Sequence, residues 1–136
     1  MNARFQRKPL SVESLVQVSG NDAHDSMCAN TYVITGEYPV LIESGSIAGY
    51  ERLKSNLGCL GLEMSDIKLV LATHGHWDHV SGMERLSQES DAKLLVPTED
   101  VGAVQAGDDN LTVASYYGQS SVPLAVAGEV YEGFKL

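Results

Sequence analysis

No run in the chain approaches the ~20 apolar residues that a membrane-spanning helix requires. Arg4, Arg7 and Lys8 near the start are not followed by an apolar stretch of signal-peptide length. Neither a membrane protein nor a secreted one is expected, which leaves the cytoplasm. Cysteine is scarce, with Cys28 and Cys59 the two present; they form no Cys-x-x-Cys pair and read as reduced thiols. Cys28 is read as a small buried hydrophobe rather than a nucleophile or ligand. Basic residues are outnumbered, nine Lys and Arg against 18 Asp and Glu, for a formal net charge of −9. Nucleic acid binding draws on clustered Lys and Arg and is not expected; a small-molecule substrate is. Repeats, low-complexity tracts and linkers are also missing. The 136 residues therefore read as a single domain, 1–136, able to remove about two thirds of its unfolded surface from water.

Against these absences stands one concentration. Of four histidines, three fall in Thr73-His74-Gly75-His76-Trp77-Asp78-His79. Imidazole and carboxylate are the ligands that a borderline cation such as Zn²⁺ takes at neutral pH, where histidine, titrating near ~6.5, is mostly neutral. In extended backbone His74 and His76 share a face and can pinch one ion. Asp78 and His79 are adjacent and diverge unless the backbone turns there; a helix starting at that point swings them toward a second ion. The bland alternative is a set of surface histidines in a turn, which three histidines and an aspartate in six residues disfavour. The His-Glu-x-x-His pattern of zincin proteases is absent.

The flanks supply the needed turn. Ile67 to Ala72 is an apolar run that reads as a buried strand, while Val80, Met83 and Leu86 keep helical spacing to about Gln88, with Gly82 a weak point. Ligands in open α/β sheets bind at the carboxyl ends of strands, where this window falls. Ser14 to Ser19 alternates like a half-buried edge strand, Gly20 to Asn30 is a loop, and Thr31 to Thr35 with Val40 to Glu43 reads as a hairpin. His24 in that loop, between Asp22 and Asp25, is taken as a solvated histidine rather than a ligand. Ile47 to Leu57 has helical spacing with Gly58 as terminator, and Leu60 continues the apolar stripe. Lys93 to Val96 is a strand closed by Pro97; Thr98 then caps a helix through about Gln105. Asp108, Asp109 and Asn110 read as a turn rather than metal ligands. Tyr116 and Tyr117 either line a pocket or pack, and packing is preferred. Val122 to Leu136 reads as two short strands around a tight turn.

His74-Gly75-His76-Trp77-Asp78-His79 resembles the His-x-His-x-Asp-His signature of the metallo-β-lactamase superfamily at every fixed position. The hairpin Tyr32-Val33-Ile34 and Val40-Leu41-Ile42-Glu43-Ser44-Gly45 is similar to the family's first hairpin, with Glu43 where the family has aspartate. The resemblance implies an α/β fold, a four-layer αββα sandwich of two similar halves, of which this chain supplies about the first. It also implies a metal-dependent hydrolase with two Zn²⁺ per complete site, iron or manganese being alternatives. His74, His76, Asp78 and His79 would be the ligands and Asp78 catalytic, orienting a metal-generated hydroxide that cleaves an ester, thioester or lactone. Gly75 would let the backbone bend, and Trp77 would pack at the rim.

The family's later ligands, a histidine in a Pro-Gly-His segment, a bridging aspartate and a further histidine, have no counterpart, because no histidine follows His79. Catalytic zinc normally keeps three protein ligands, whereas each ion here would have two. Three readings follow: an incomplete sequence of an ordinary enzyme, which is preferred; a half that pairs with a second half-domain or another copy through its exposed sheet face; or a non-catalytic metal-binding or interaction module.

Overall fold

The computed structural model describes residues 14–20 and 28–135. His24 with Asp22 and Asp25, and the basic N-terminal segment, lie outside the described residues. Among the described residues, six strands form one sheet in sequential order: β1 (Leu15–Ser19), β2 (Thr31–Ile34), β3 (Val40–Ile42), β4 (Leu69–Leu71), β5 (Lys93–Pro97) and β6 (Gly128–Val130). The pairings β1–β2 and β2–β3 are antiparallel and the remaining three parallel. The expected hairpin and central strand are therefore present. Each parallel crossover needs a connection long enough to return across the sheet, and helices supply two of them. They are α1 (Tyr50–Cys59) between β3 and β4, then α2 (Trp77–Val80) with α3 (Met83–Glu89) between β4 and β5.

Strand periodicity decides what lies where. Register places Val16, Val33, Leu41, Val70 and Leu94 in one row across the sheet. Apart from half-buried Val16, these are fully buried against Tyr50, Leu53 and Leu57 of α1 and Val80, Met83 and Leu86 of α2 and α3. The Tyr50 hydroxyl donates to Glu89, Lys54 reaches the same carboxylate at 2.6 Å, and the Arg85 guanidinium lies 4.4 Å over the Tyr50 ring, so α1 and α3 are tied together.

Several local expectations change. Gly58 does not stop α1, which runs on to Cys59; the chain turns at Gly61, whose φ of +78° suits glycine. Leu60, just past the helix, is exposed rather than part of the apolar stripe. The helix after the histidine window is broken at Ser81–Gly82, because Gly82 lies against the backbone of Ser44 and Gly45. Thr98 opens a 3-10 turn, and α4 (Val101–Ala106) follows with Asp100 at its N-cap position. Gly107, at φ +65°, ends α4. Among the described residues the C-terminal region forms one strand, β6; where a second was expected, Phe134 N–H closes a turn on the Tyr131 carbonyl at 2.9 Å.

The opposite sheet face has no helix on it among the described residues. Tyr32, Ile42, Leu71 and Leu95 form one row, and Ile34, Val40 and Leu69 the next. All seven are only half-buried. No helix among the described residues is long and apolar enough to cross a membrane.

A Cβ at Gly82 would come within 2.5 Å of the Ser44 carbonyl oxygen and 3.0 Å of that of Gly45, both backbone atoms with no rotamer to yield. Gly82→Ala is expected to lower stability by about 1–3 kcal/mol. Urea unfolding checks this, and a loss below ~0.5 kcal/mol would contradict the packing described.

Candidate metal centre

The window Thr73 to His79 leaves the C-terminal end of β4 and enters α2 at His76, whose φ of −73° and ψ of 150° are still extended. Its backbone is held at alternate residues by acceptors from three segments. Thr73 N–H donates to Glu43 Oε1 at 2.7 Å, Gly75 N–H to Asp100 Oδ2 at 3.0 Å, and Trp77 N–H to the Thr112 carbonyl at 2.7 Å. On the other side, the Asp78 carbonyl accepts from Ala29 N–H at 3.1 Å and the His79 carbonyl from Ser44 N–H at 2.9 Å.

Held this way, the histidines converge. The His74 ring lies 4.5 Å from His76 and 3.8 Å from His79, centroid to centroid. Asp78 Oδ2 is 3.6 Å from His79 Nε2. The Nδ1 atoms of two of the rings are occupied: Thr73 Oγ1 is 3.1 Å from His74 Nδ1, and Glu43 Oε2 is 2.6 Å from His79 Nδ1. Fixing one imidazole nitrogen in this manner sets the tautomer that leaves the other as ligand or acceptor. Burial, then the charges of His79 and His76, lower His74 below the ordinary histidine value, so it is neutral at pH 7. Burial also acts to lower His79, but the hydrogen bond to Glu43 and the charges of Glu43 and Asp78 outweigh it and raise that imidazole.

Glu43 is the residue that sequence reasoning undervalued. Its side chain is buried, it spans His79 and Thr73 with its two oxygens, and its backbone is left-handed at φ +72°. Such a φ is uncommon outside glycine and marks a conformation imposed by surroundings. The sequence signal was available: an acid closing an otherwise apolar strand.

Gly75 is needed for space rather than for bending, because a Cβ there would meet Val104 Cγ2 at 2.7 Å and Asp100 Cβ at 2.9 Å. Trp77 is not at the rim; it is 2 % exposed and among the largest buried side chains. Its ring lies 5.4 Å from that of Tyr117. Burial, then the nearby Asp78 carboxylate, raise the Tyr117 hydroxyl above its ordinary value. Tyr116, in contrast, is 83 % exposed. Asp108 and Asp109 do form a turn, accepting from Asn110, Leu111 and Ser121 N–H groups at 2.6–2.9 Å. Cys28 is buried, with Ser46 N–H 3.4 Å from its sulfur.

A cleft of about 400 Å³ opens beside the window, lined by Tyr32, Ile42, Glu43, Thr73, Asp78 and His79 among others. The donors fit a divalent cation in kind, being imidazoles and a carboxylate with oriented partners. They fall short in arrangement: among the described residues no group of three or more His, Cys, Asp and Glu side chains is placed to hold a metal ion.

Fold and site together define an α/β protein with a histidine-rich loop at a strand terminus. The model of the metallo-β-lactamase superfamily matches residues 28–131, and the chain belongs to that family. The chain is 28 % identical over 95 residues to a protein of Methanocaldococcus jannaschii described as a probable metallo-hydrolase, covering 70 % of this chain and 45 % of that one. It is similar to the FEZ-1 metallo-β-lactamase from Legionella gormanii, with 27 % identity and a TM-score of 0.75 over 90 % of this chain and 45 % of that one. The subclass B3 metallo-β-lactamase BJP-1 of Bradyrhizobium japonicum gives 26 % identity and a TM-score of 0.67, over 79 % and 40 %. The chain thus spans less than half the length of these relatives.

Glu43→Gln keeps an acceptor for Thr73 N–H but turns an amide or a neutral oxygen toward His79. The change is expected to lower stability by about 1–3 kcal/mol, the usual effect of spoiling a buried charge-assisted hydrogen bond. Thermal and urea unfolding measure it; a variant as stable as the parent would show that Glu43 does not fix His79.

Proposed function

We propose that residues 1–136 form the metal-gripping half of a metal-dependent hydrolase and carry an incomplete site that does not turn over substrate alone. The observation that supports this most directly is the meeting of three imidazoles within 3.8–4.5 Å beside Asp78, at the end of a parallel strand. Family membership and the metallo-hydrolase relatives supply the reaction type. The shortfall in ligands, and the coverage of less than half of each relative, favour a partial site over a finished one.

His74 and His76 are the donors for one Zn²⁺, and Asp78 with His79 for a second; iron or manganese suits the same set. Bound metal would lower the pKa of water toward neutrality and polarise the bond to be cleaved. The chain's own contribution is orientation. Glu43 fixes the His79 ring, Thr73 fixes His74, and Asp78 offers a carboxylate that can hold and return a proton at the reacting position. Tyr32 and Ile42 give the adjoining cleft an apolar wall. The substrate class favoured is a small ester, thioester or lactone; the β-lactamases among the similar structures add β-lactams to the substrates to be tried. The apolar outer sheet face is the surface on which a second half-domain, or another copy, would complete the site.

Zinc equilibration followed by gel filtration and elemental analysis is expected to leave about one ion or fewer per chain, against the two of a finished site. His76→Ala and Asp78→Ala should each reduce retention at least tenfold, and the chain alone should hydrolyse no member of a thioester, lactone and β-lactam panel. Metal retention indifferent to both substitutions would defeat the reading.

A further inference from the structure

We propose that Asp100 is a positioning residue for His74 and His76, setting how closely the two imidazoles approach by holding the Gly75 backbone between them. The inference rests on the reading of those histidines as the working side chains of the window and names the group that arranges them. Asp100 lies 25 positions beyond Gly75, and its Oδ2 accepts from Gly75 N–H at 3.0 Å. Gly75 is buried, so water is a poor substitute for that acceptor. The carboxylate forgoes another use to be there. Asp100 occupies the N-cap position of α4, where an aspartate ordinarily accepts from an N–H of the first turn, yet its side chain makes no such bond.

Packing points the same way. Asp100 and Val104 are one helical turn apart and share a face of α4. A Cβ on Gly75 would lie 2.9 Å from Asp100 Cβ and 2.7 Å from Val104 Cγ2, so that face presses directly on the backbone midway between the histidines. Val104 is 1 % exposed and belongs to the core, which gives the face a fixed footing. With the Cβ direction of Gly75 taken by α4, the alternation of an extended chain sends His74 and His76 to the opposite side. Their ring centroids are 4.5 Å apart there, edge to face. Contact with α4 thus limits how near the backbone comes, and the Asp100 bond fixes its direction.

The experiment is NMR of the full chain with no metal added, reading the NOE between the ring protons of His74 and His76 in the parent, Asp100→Ser and Asp100→Asn. Serine caps a helix as well as aspartate does but is too short to reach Gly75 N–H, whereas asparagine keeps an oxygen at the same reach. Asp100→Ser should lose the NOE while retaining the parent's helical far-UV signal, and Asp100→Asn should keep both. An undiminished NOE in Asp100→Ser would overturn the proposal. So would its loss in Asp100→Asn, since the acceptor would then not be what places the rings. Should Asp100→Ser fail to fold, amide exchange in the parent decides: Gly75 N–H is expected to exchange far more slowly than an open loop amide, and exchange at the free rate would overturn the bond itself. Zinc retention indifferent to His76→Ala and Asp78→Ala would instead remove the proposed function and leave the NOE result as it stands, so the two failures are told apart.

Discussion

Three backbone N–H groups in the histidine window, those of Thr73, Gly75 and Trp77, have acceptors that come from three different segments: the Glu43 carboxylate, the Asp100 carboxylate and the Thr112 carbonyl. A loop leaving a strand ordinarily gives its N–H groups to water. Here the bonds fix the chain at every second residue, and two of the acceptors are charged, which strengthens each bond. The alternate residues His74 and His76 are then free to use their side chains, and the imidazoles come together although none of the rings is fully buried. The rest of the fold can be understood as the means of bringing those acceptors to one place. Parallel pairing sets β3 and β5 on either side of β4, so the ends of all three strands lie side by side.

The same arrangement concentrates acid around the window. Glu43 and Asp78 face His79 directly, and Asp100 lies behind Gly75. A cluster of carboxylates without a positive partner is costly, and the same carboxylates raise His79 above its ordinary value, which favours its charged form. A divalent cation at this position would serve the same electrostatic purpose with more charge.

Much of this was legible in the sequence. The alternation at Leu15–Ser19, the apolar run ending at Ala72 and the histidine spacing are local patterns, and local patterns survive folding. The weak point at Gly82 was visible as a glycine in a helical repeat, although its cause, contact with the Ser44 and Gly45 backbone, was not. What sequence could not supply is long-range. That Asp100 spends its side chain on Gly75 rather than on its own helix, that Tyr117 packs beside Trp77, and that Trp77 is interior all depend on which loops the sheet order brings together. The second C-terminal strand failed for a related reason: periodicity nominates a strand, but a sheet neighbour must be there to pair with it, and around Phe134 the backbone bonds to itself in a turn. The family's aspartate, replaced here by Glu43, is the instructive intermediate case. The Glu43 carboxylate meets His79 at 2.6 Å from a left-handed backbone, a long-range contact that the strand pattern does not announce.

The acceptors of the window are separated from it by about thirty residues on one side and by 25 to 35 on the other. Contacts of that span close late, because the entropy of a long loop must be lost before they return any stabilisation. The imidazoles are therefore unorganised until Asp100 and Thr112 have come back to the window. The convergence of the three rings is consequently a late product of folding, set by the closing of loops and not by the local run of residues that carries them.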